Sequence, residues 1–433
     1  MNRETIKSFI LFVLVGLSFL LSYILWSYQP KYEMFYDASY VNEVDVGGKE
    51  NSKQELIQPS YIIFHREDEI LGFASPVDQQ ELFKEITSWS LSNLSVASAS
   101  GEPIRQWEHY VEVIFPTPLP VNLLANLFTI EDEEELPLWH FDRIFIFAEE
   151  NTELLNVKIV SQDESEQLVA TIEKARAYQI INRYDENHAQ LQTYLEVPFG
   201  TRQIYIPDDV DKMTKKTLVA NLIEPELFTN VLFSNPSLVK PNQREVFYTD
   251  GQRGMRVQQE GRYLEFINPI ETSGKTLSAD DLLERSVNHI NEHKGWFNEY
   301  HLESLYVTRG EVNYRLHYEG RPVFNFSNLT LITQVWRDQE LYQYHRSLLY
   351  IGHLLNVTDT ELPSGVEIIQ TIQQAEDFAP DQITDIQIGY LLNYIDEAHS
   401  ITLEPAWFMR YENSWLKVPL MNNGANSEGI RGD

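Results

Sequence analysis

The stretch "REVFYTDGQRGMRVQQEGRYLEFINP", residues 244–269, decides the fold class. Three runs rich in aromatic and β-branched residues are parted by Asp250-Gly251 and Glu260-Gly261. Such pairs tolerate the positive φ angles that tight hairpins demand, so the spacing predicts a three-strand antiparallel meander. Upstream, "KKTLVANLI" (215–223) has helical spacing. Downstream, Ser278 stands where it can cap a helix over "ADDLLERSVNHINEH" (279–293), with Asp281 three residues on as in a capping box. The strand-like segments "YHLESLYVTRG", "EVNYRLHYEGRPVF" and "LTLITQVWRDQELYQYHRSLLYI" follow. The order then recurs: helix "GVEIIQTIQQ", strand "DIQIGYLLNY", strands "LEPAWFMRYENSWLKVPL". This is a duplication of elements in the last third of the chain, not of residues.

Toward the N-terminus the same alternation continues. "SYIIFHREDEILGFAS" (60–75) reads as two strands around an acidic turn, and "VDQQELFKEITSW" (77–89) as a helix. "QWEHYVEVIFP" and "FDRIFIFAE" are strand-like, "ESEQLVATIEKARAY" (164–178) is read as a further helix, and a strand near "QIYIPDD" closes the unit. The expected class is α+β, mainly antiparallel sheets with helices packed on them. Residues 31–208 form a stalk and N-terminal domain, 209–275 a middle domain, and 276–433 the C-terminal domain or domains.

Residues 1–30 are of another kind. No formally charged residue lies between Ser8 and Trp26, and a helix of that length spans about 28 Å, the thickness of a bilayer's hydrocarbon core. Trp26 and Tyr28 then make an interfacial belt before Pro30, and no small-residue cleavage site follows. The segment reads as an uncleaved transmembrane signal anchor. Arg3 and Lys7 before it, against Lys31 among Glu33 and Asp37 after it, put the N-terminus in the cytoplasm and the body outside. On a helical wheel Leu11, Val15, Ser18, Ser22 and Leu25 share a stripe about 80° wide, with Ser8 at its edge. Ser18 and Ser22 form a small-xxx-small pair, the kind of surface on which helices meet in lipid. A lipid-facing stripe with incidental serines fits the same spacing.

Charge narrows the function. Against 33 basic residues stand 65 acidic ones, a net charge of −32, which disfavours nucleic acid and anionic lipid surfaces as partners. The chain has no cysteine, which removes disulfides, thiol nucleophiles and thiolate metal sites together. An outer domain without disulfides fits a Gram-positive bacterium. "HINEH" places His289, Glu292 and His293 in the spacing of an inverted zinc peptidase. A solvated helix end explains it more simply, since no third ligand can be nominated. "SGKT" (273–276) lacks a P-loop's first glycine, whose place is taken by Pro269. No catalytic residue, metal ligand or cofactor site is nominated.

The opening "RETIKSFILFVLVGLSFLLSYILWSYQP" resembles the start of the YycH (WalH) family of Gram-positive bacteria. "VFYTDGQRGMRV", "RYLEFINP", "NEHKGW", "YEGRPVFN" and "LEPAWFMRY" resemble it further along. Lys294 within "HKGW" departs from it, a second glycine being expected there. The resemblance implies a regulator of the essential WalK/WalR (YycG/YycF) two-component system, which governs cell-wall metabolism. It implies action with a YycI-like protein on the sensor kinase WalK through transmembrane helices, without enzymatic activity or cofactor. It also implies that the last two domains are similar to those of YycI. Ser8, Leu11, Val15, Ser18, Ser22 and Leu25 are then the expected partner-binding face. The alternative is an extracellular binding module for a wall polymer or peptide.

Overall fold

The structure, a computed structural model, describes residues 14–16 and 18 and, apart from short internal stretches, 44–420. Met1–Asn42 and Glu43–Asp433 separate as two units. In the first, the described residues are helical and exposed. The second is built on two large sheets with helices packed against them, as the α+β expectation has it.

Ten strands between Tyr61–Arg66 and Tyr205–Pro207 make the first sheet. Tyr61–Arg66 lies near its middle, paired antiparallel with Glu69–Phe73 on one side and His109–Pro120 on the other. The helix Pro76–Thr87 contributes Leu82, Phe83 and Ile86 to the core at helical spacing, and proline in its first turn costs no hydrogen bond there. The strand Glu166–Ile172 replaces the helix expected over 164–178. Leu168, Ala170 and Ile172 are buried in strict alternation, and the helix begins only at Ala175. Period two over seven residues outweighed the helix-forming glutamates on either side.

The second sheet takes fourteen strands from Met213–Leu222 onward. Phe247–Thr249, Gly254–Gln258 and Tyr263–Ile267 form the meander. Asp250 Oδ1 accepts from the backbone N–H of Gln252 and Arg253 at 3.0 and 2.8 Å, fixing the first turn. Gln259, Glu260 and Gly261 all carry positive φ in the second. Against expectation, "KKTLVANLI" is a strand. Met213–Leu222 sits between Leu349–Thr360 and Ser400–Tyr411, antiparallel to both. Neighbours on two sides and the β-branched Thr217 and Val219 override a weak helical spacing.

The recurrence of elements is visible in the geometry. The helix Ala279–Asn291 leads into Glu299–Tyr306, a 3₁₀ turn, Glu311–Tyr318 and Arg321–Phe324. The helix Gly365–Gln374 leads into Ile383–Ile395, a 3₁₀ turn, Ser400–Tyr411 and Ser414–Lys417. Each 3₁₀ turn ends on a left-handed residue, Gly310 or His399, and each last hairpin turns on two positive-φ residues, Glu319-Gly320 or Glu412-Asn413. Both helices start at a serine cap. Ser278 Oγ accepts from Asp281 N–H, while Ser364 and Glu367 complete a reciprocal capping box. Trp296 and Trp407 are fully buried between these elements.

Candidate functional site

Of the face expected to meet partners in the membrane, Val15 and Ser18 are described, and both are helical and exposed. Ser8, Leu11, Ser22 and Leu25 lie outside the described residues, as do residues 273 and 275 of the "SGKT" stretch. Among the described residues no helix is long and apolar enough to cross a membrane.

Where the chain enters the body, residues 44–51 do not join the first sheet. They are stitched to the loop after the helix Ala279–Asn291. Val46, Gly48 and Lys49 donate their N–H groups to the carbonyls of His293, Lys294 and Trp296 at 3.0, 3.0 and 2.9 Å, and Trp296 N–H returns a bond to Lys49. Asn51 and Asn291 exchange two more, the Asn291 side chain accepting from Asn51 N–H at 3.0 Å and donating to its carbonyl at 2.9 Å. Asn291 Oδ1 also takes the indole N–H of Trp296 at 2.8 Å. Gly48 has no room for a side chain, since a Cβ there would press on the Lys294 and Trp296 carbonyls. Lys294 holds the left-handed turn at φ 50° and reaches Asp45 at 2.6 Å. Glycine takes such a φ without penalty, which explains the residue the family pattern leads one to expect there.

A cleft separates the two sheets. Gln80, on the helix Pro76–Thr87, donates to Glu299 at 2.9 Å, and Glu299 also bonds His301 at 3.0 Å. His301 lies over His317 with ring centres 3.9 Å apart. Burial, then the charge of His301, pushes His317 well below its ordinary value. Burial raises Glu299, but the hydrogen bond and charge of His301 overcome it and hold the carboxyl well below its usual range. Glu303 accepts two bonds from Arg315 at 2.8 and 3.0 Å and one from Trp415 at 2.6 Å. Arg410 spans the seam: it donates to the Pro116 carbonyl at 3.1 Å in the first half and to the Tyr306 hydroxyl at 3.4 Å in the second. Asp385, half-buried beside it, is raised to about 6 by desolvation.

Contrary to the solvated helix end expected for "HINEH", His293 is buried and His289 half-buried, while Glu292 is exposed. His289 Nδ1 lies 3.0 Å from the Gln334 amide nitrogen. His293 packs edge-on against Phe228 and Tyr344, and neither of its ring nitrogens has a partner among the described residues. Burial, and after it the charge of Arg346, lowers His289 to about 4. Arg346 itself is buried and bonds the Gly295 carbonyl and the Tyr344 hydroxyl, each at 2.8 Å. Among the described residues no three His, Cys, Asp or Glu side chains come together to hold a metal ion.

The model described as "YycH protein, N-terminal domain" matches residues 4–189, and "YycH protein, C-terminal domain" matches residues 201–425. The chain belongs to the YycH family. Within it, the chain is similar to the "Two-component system WalR/WalK regulatory protein YycH" of Bacillus subtilis (strain 168), at 23% identity over 462 residues covering 99% of each. Its fold is similar to that in the crystal structure of YycH from Bacillus subtilis. That match has a TM-score of 0.73 and 18% identity, over 87% of this chain and 99% of the other. The seam and the clamp of this YycH-family chain had no sequence signal. Both join residues more than two hundred positions apart.

Proposed function

We propose that this YycH-family chain is a membrane-anchored, non-enzymatic regulator of a WalK-type sensor histidine kinase. It acts with a YycI-like partner through transmembrane helix contacts, with its N-terminus cytoplasmic and its body outside. The observation that carries the reading is family membership over nearly the whole chain, together with a full-length relative named as a WalR/WalK regulatory protein. The apolar span supports the anchor, and Ser8, Leu11, Val15, Ser18, Ser22 and Leu25 are its working face. Small residues let helices approach closely in lipid, where hydrophobic exclusion offers nothing. A regulator of this kind biases the kinase between states by differential contact with them.

The test is residues 1–30 fused to an unrelated outer domain. Kinase output should respond to this fusion and lose its response when Ser18 and Ser22 are both changed to Ile. Output that follows only the body on a foreign anchor would overturn the helix reading and favour the second one, an extracellular binding module for a wall polymer or peptide. The cleft between the sheets is what favours that alternative. For the body we propose domains at 31–208, 209–275 and 276–433. The last two contribute strands to one sheet, so they are expected to fold only together.

A further inference from the structure

Along the seam, beside Arg410 and apart from the Gln80–His301–His317 cluster, lies a cavity of about 350 Å³. That is the small end of the range for ligand pockets, room for one residue-sized group. Tyr61, Arg143 and Tyr205 line it from the first sheet, and Tyr306, Asp385 and Arg410 from the second. Three guanidinium groups, with Arg202 the third, converge here in a chain of net charge −32. Two of them are committed. Arg143 is bonded to the buried Glu112 and to the Gln203 carbonyl, and Arg202 to Asp142 at 2.5 Å.

Arg410 is not committed. Its bonds go to a carbonyl and a phenol, both neutral, and its buried Nε has no acceptor among the described residues. The carboxylates near it are engaged elsewhere. Glu303 is held two-handed by Arg315. Asp385 accepts from Gln387 Nε2 at 2.6 Å and from Ile386 N–H at 2.8 Å, and has no hydrogen bond to Arg410. A desolvated guanidinium with an idle N–H is unstable unless an acceptor arrives, and charged acceptors serve it best.

We infer that this cleft is a binding site for an anionic group, a carboxylate or a phosphate on a small or protruding ligand, with Arg410 as its principal contact. Around it the halves are joined by side-chain hydrogen bonds, and among the described residues no strand of one sheet pairs with a strand of the other. Tyr61 donates to the Ile386 carbonyl at 3.2 Å, Gln387 to Ser60 Oγ at 3.3 Å and Arg321 to the Ala74 carbonyl at 3.4 Å. A bound anion that engages Arg410 from the first sheet's wall therefore draws the two halves together. This site goes beyond the regulator reading, and its failure leaves that reading intact, because binding is measured without the kinase.

The test is calorimetric titration of the full-length chain in detergent micelles with three probes: N-acetyl-dialanine as the free acid, its C-terminal amide, and inorganic phosphate. The expected result is that the acid or the phosphate binds and the amide binds at least about tenfold more weakly, the loss of a charge-assisted pair. Arg410→Gln should weaken the binding by at least about tenfold, and Asp385→Asn, which removes a competing negative charge, should tighten it severalfold at neutral pH. A gain of affinity in Asp385→Asn cannot come from misfolding, so it supports the site even where Arg410→Gln folds poorly. Binding by the acid assigns the natural group to carboxylates, and binding by phosphate alone to phosphates. No binding by either anion, equal binding of acid and amide, or affinities indifferent to both substitutions would overturn the inference.

Discussion

Lys294 holds a backbone conformation that costs a side chain about 1 kcal/mol. Its ion pair with Asp45 is about half exposed on both sides, a setting in which screening and side-chain entropy leave little net gain. Lys294→Gly should therefore leave stability unchanged or raise it by up to about 1 kcal/mol in urea unfolding. A marked loss would mean that the ion pair outweighs the strain. At His289 the expected effect is one of pH. Burial, with the charge of Arg346 second, lowers it to about 4 from an ordinary 6.5, so below pH 6.5 the unfolded chain binds a proton that the folded chain refuses. Stability is whole above about pH 6.5 and falls toward pH 4, by about 2 kcal/mol at pH 5 for this one group. The difference in urea midpoint between pH 7 and pH 5 should shrink in His289→Gln. Asp385 works in the other direction. Its folded value is raised to about 6, so its favourable contribution is present below about pH 4 and lost as pH rises through 6. Asp385→Asn should stabilise by about 1–2 kcal/mol at pH 7 and by nothing near pH 4. None of these three roles is written in local sequence, because each depends on partners brought in by the fold.

Among elements, what could be read from sequence were those whose signals are local. The meander at 247–267 showed in its Asp-Gly and Glu-Gly turns and the helix at 279–291 in its serine cap, while the serine cap of the helix at 365–374 is visible only in the structure. Replacing Ser364 by Ala removes one hydrogen bond to Glu367 N–H and the partner of a reciprocal box. The expected cost is about 1 kcal/mol, read as a lower melting temperature, with a comparable loss for Ser278→Ala. The two segments misread as helices show what sequence spacing omits. Met213–Leu222 is a strand because Leu349–Thr360 and Ser400–Tyr411 lie on either side of it. Its Lys216 is buried, donates to Glu319 at 2.6 Å and stands 5.2 Å from the centre of the Tyr318 ring. An amphipathic lysine at that place looks like a solvated helix face until the carboxylate and the ring are present. At 166–172 the alternating burial of Leu168, Ala170 and Ile172 marks the strand, and the helix begins only at Ala175.

Across the whole body, no motif announced a site. The chemistry lies in side chains from distant segments that meet between the sheets, and neither spacing nor composition predicts such a meeting. The clamp at residues 44–51 makes the same point. A chain beginning at residue 44 should match the full body in unfolding midpoint. One beginning at residue 52 should unfold at lower urea, since it strips Trp296, Asn291 and the Lys294 carbonyl of their partners at a cost of about 1–3 kcal/mol. The clamp also settles which part of the body bears load. Tension arriving along the chain at Val44 meets the hydrogen bonds to His293, Lys294 and Trp296 before it can reach Tyr61. It is carried into the second sheet by way of the loop after the helix Ala279–Asn291 before it reaches the first. The body thus takes up load first through its second half.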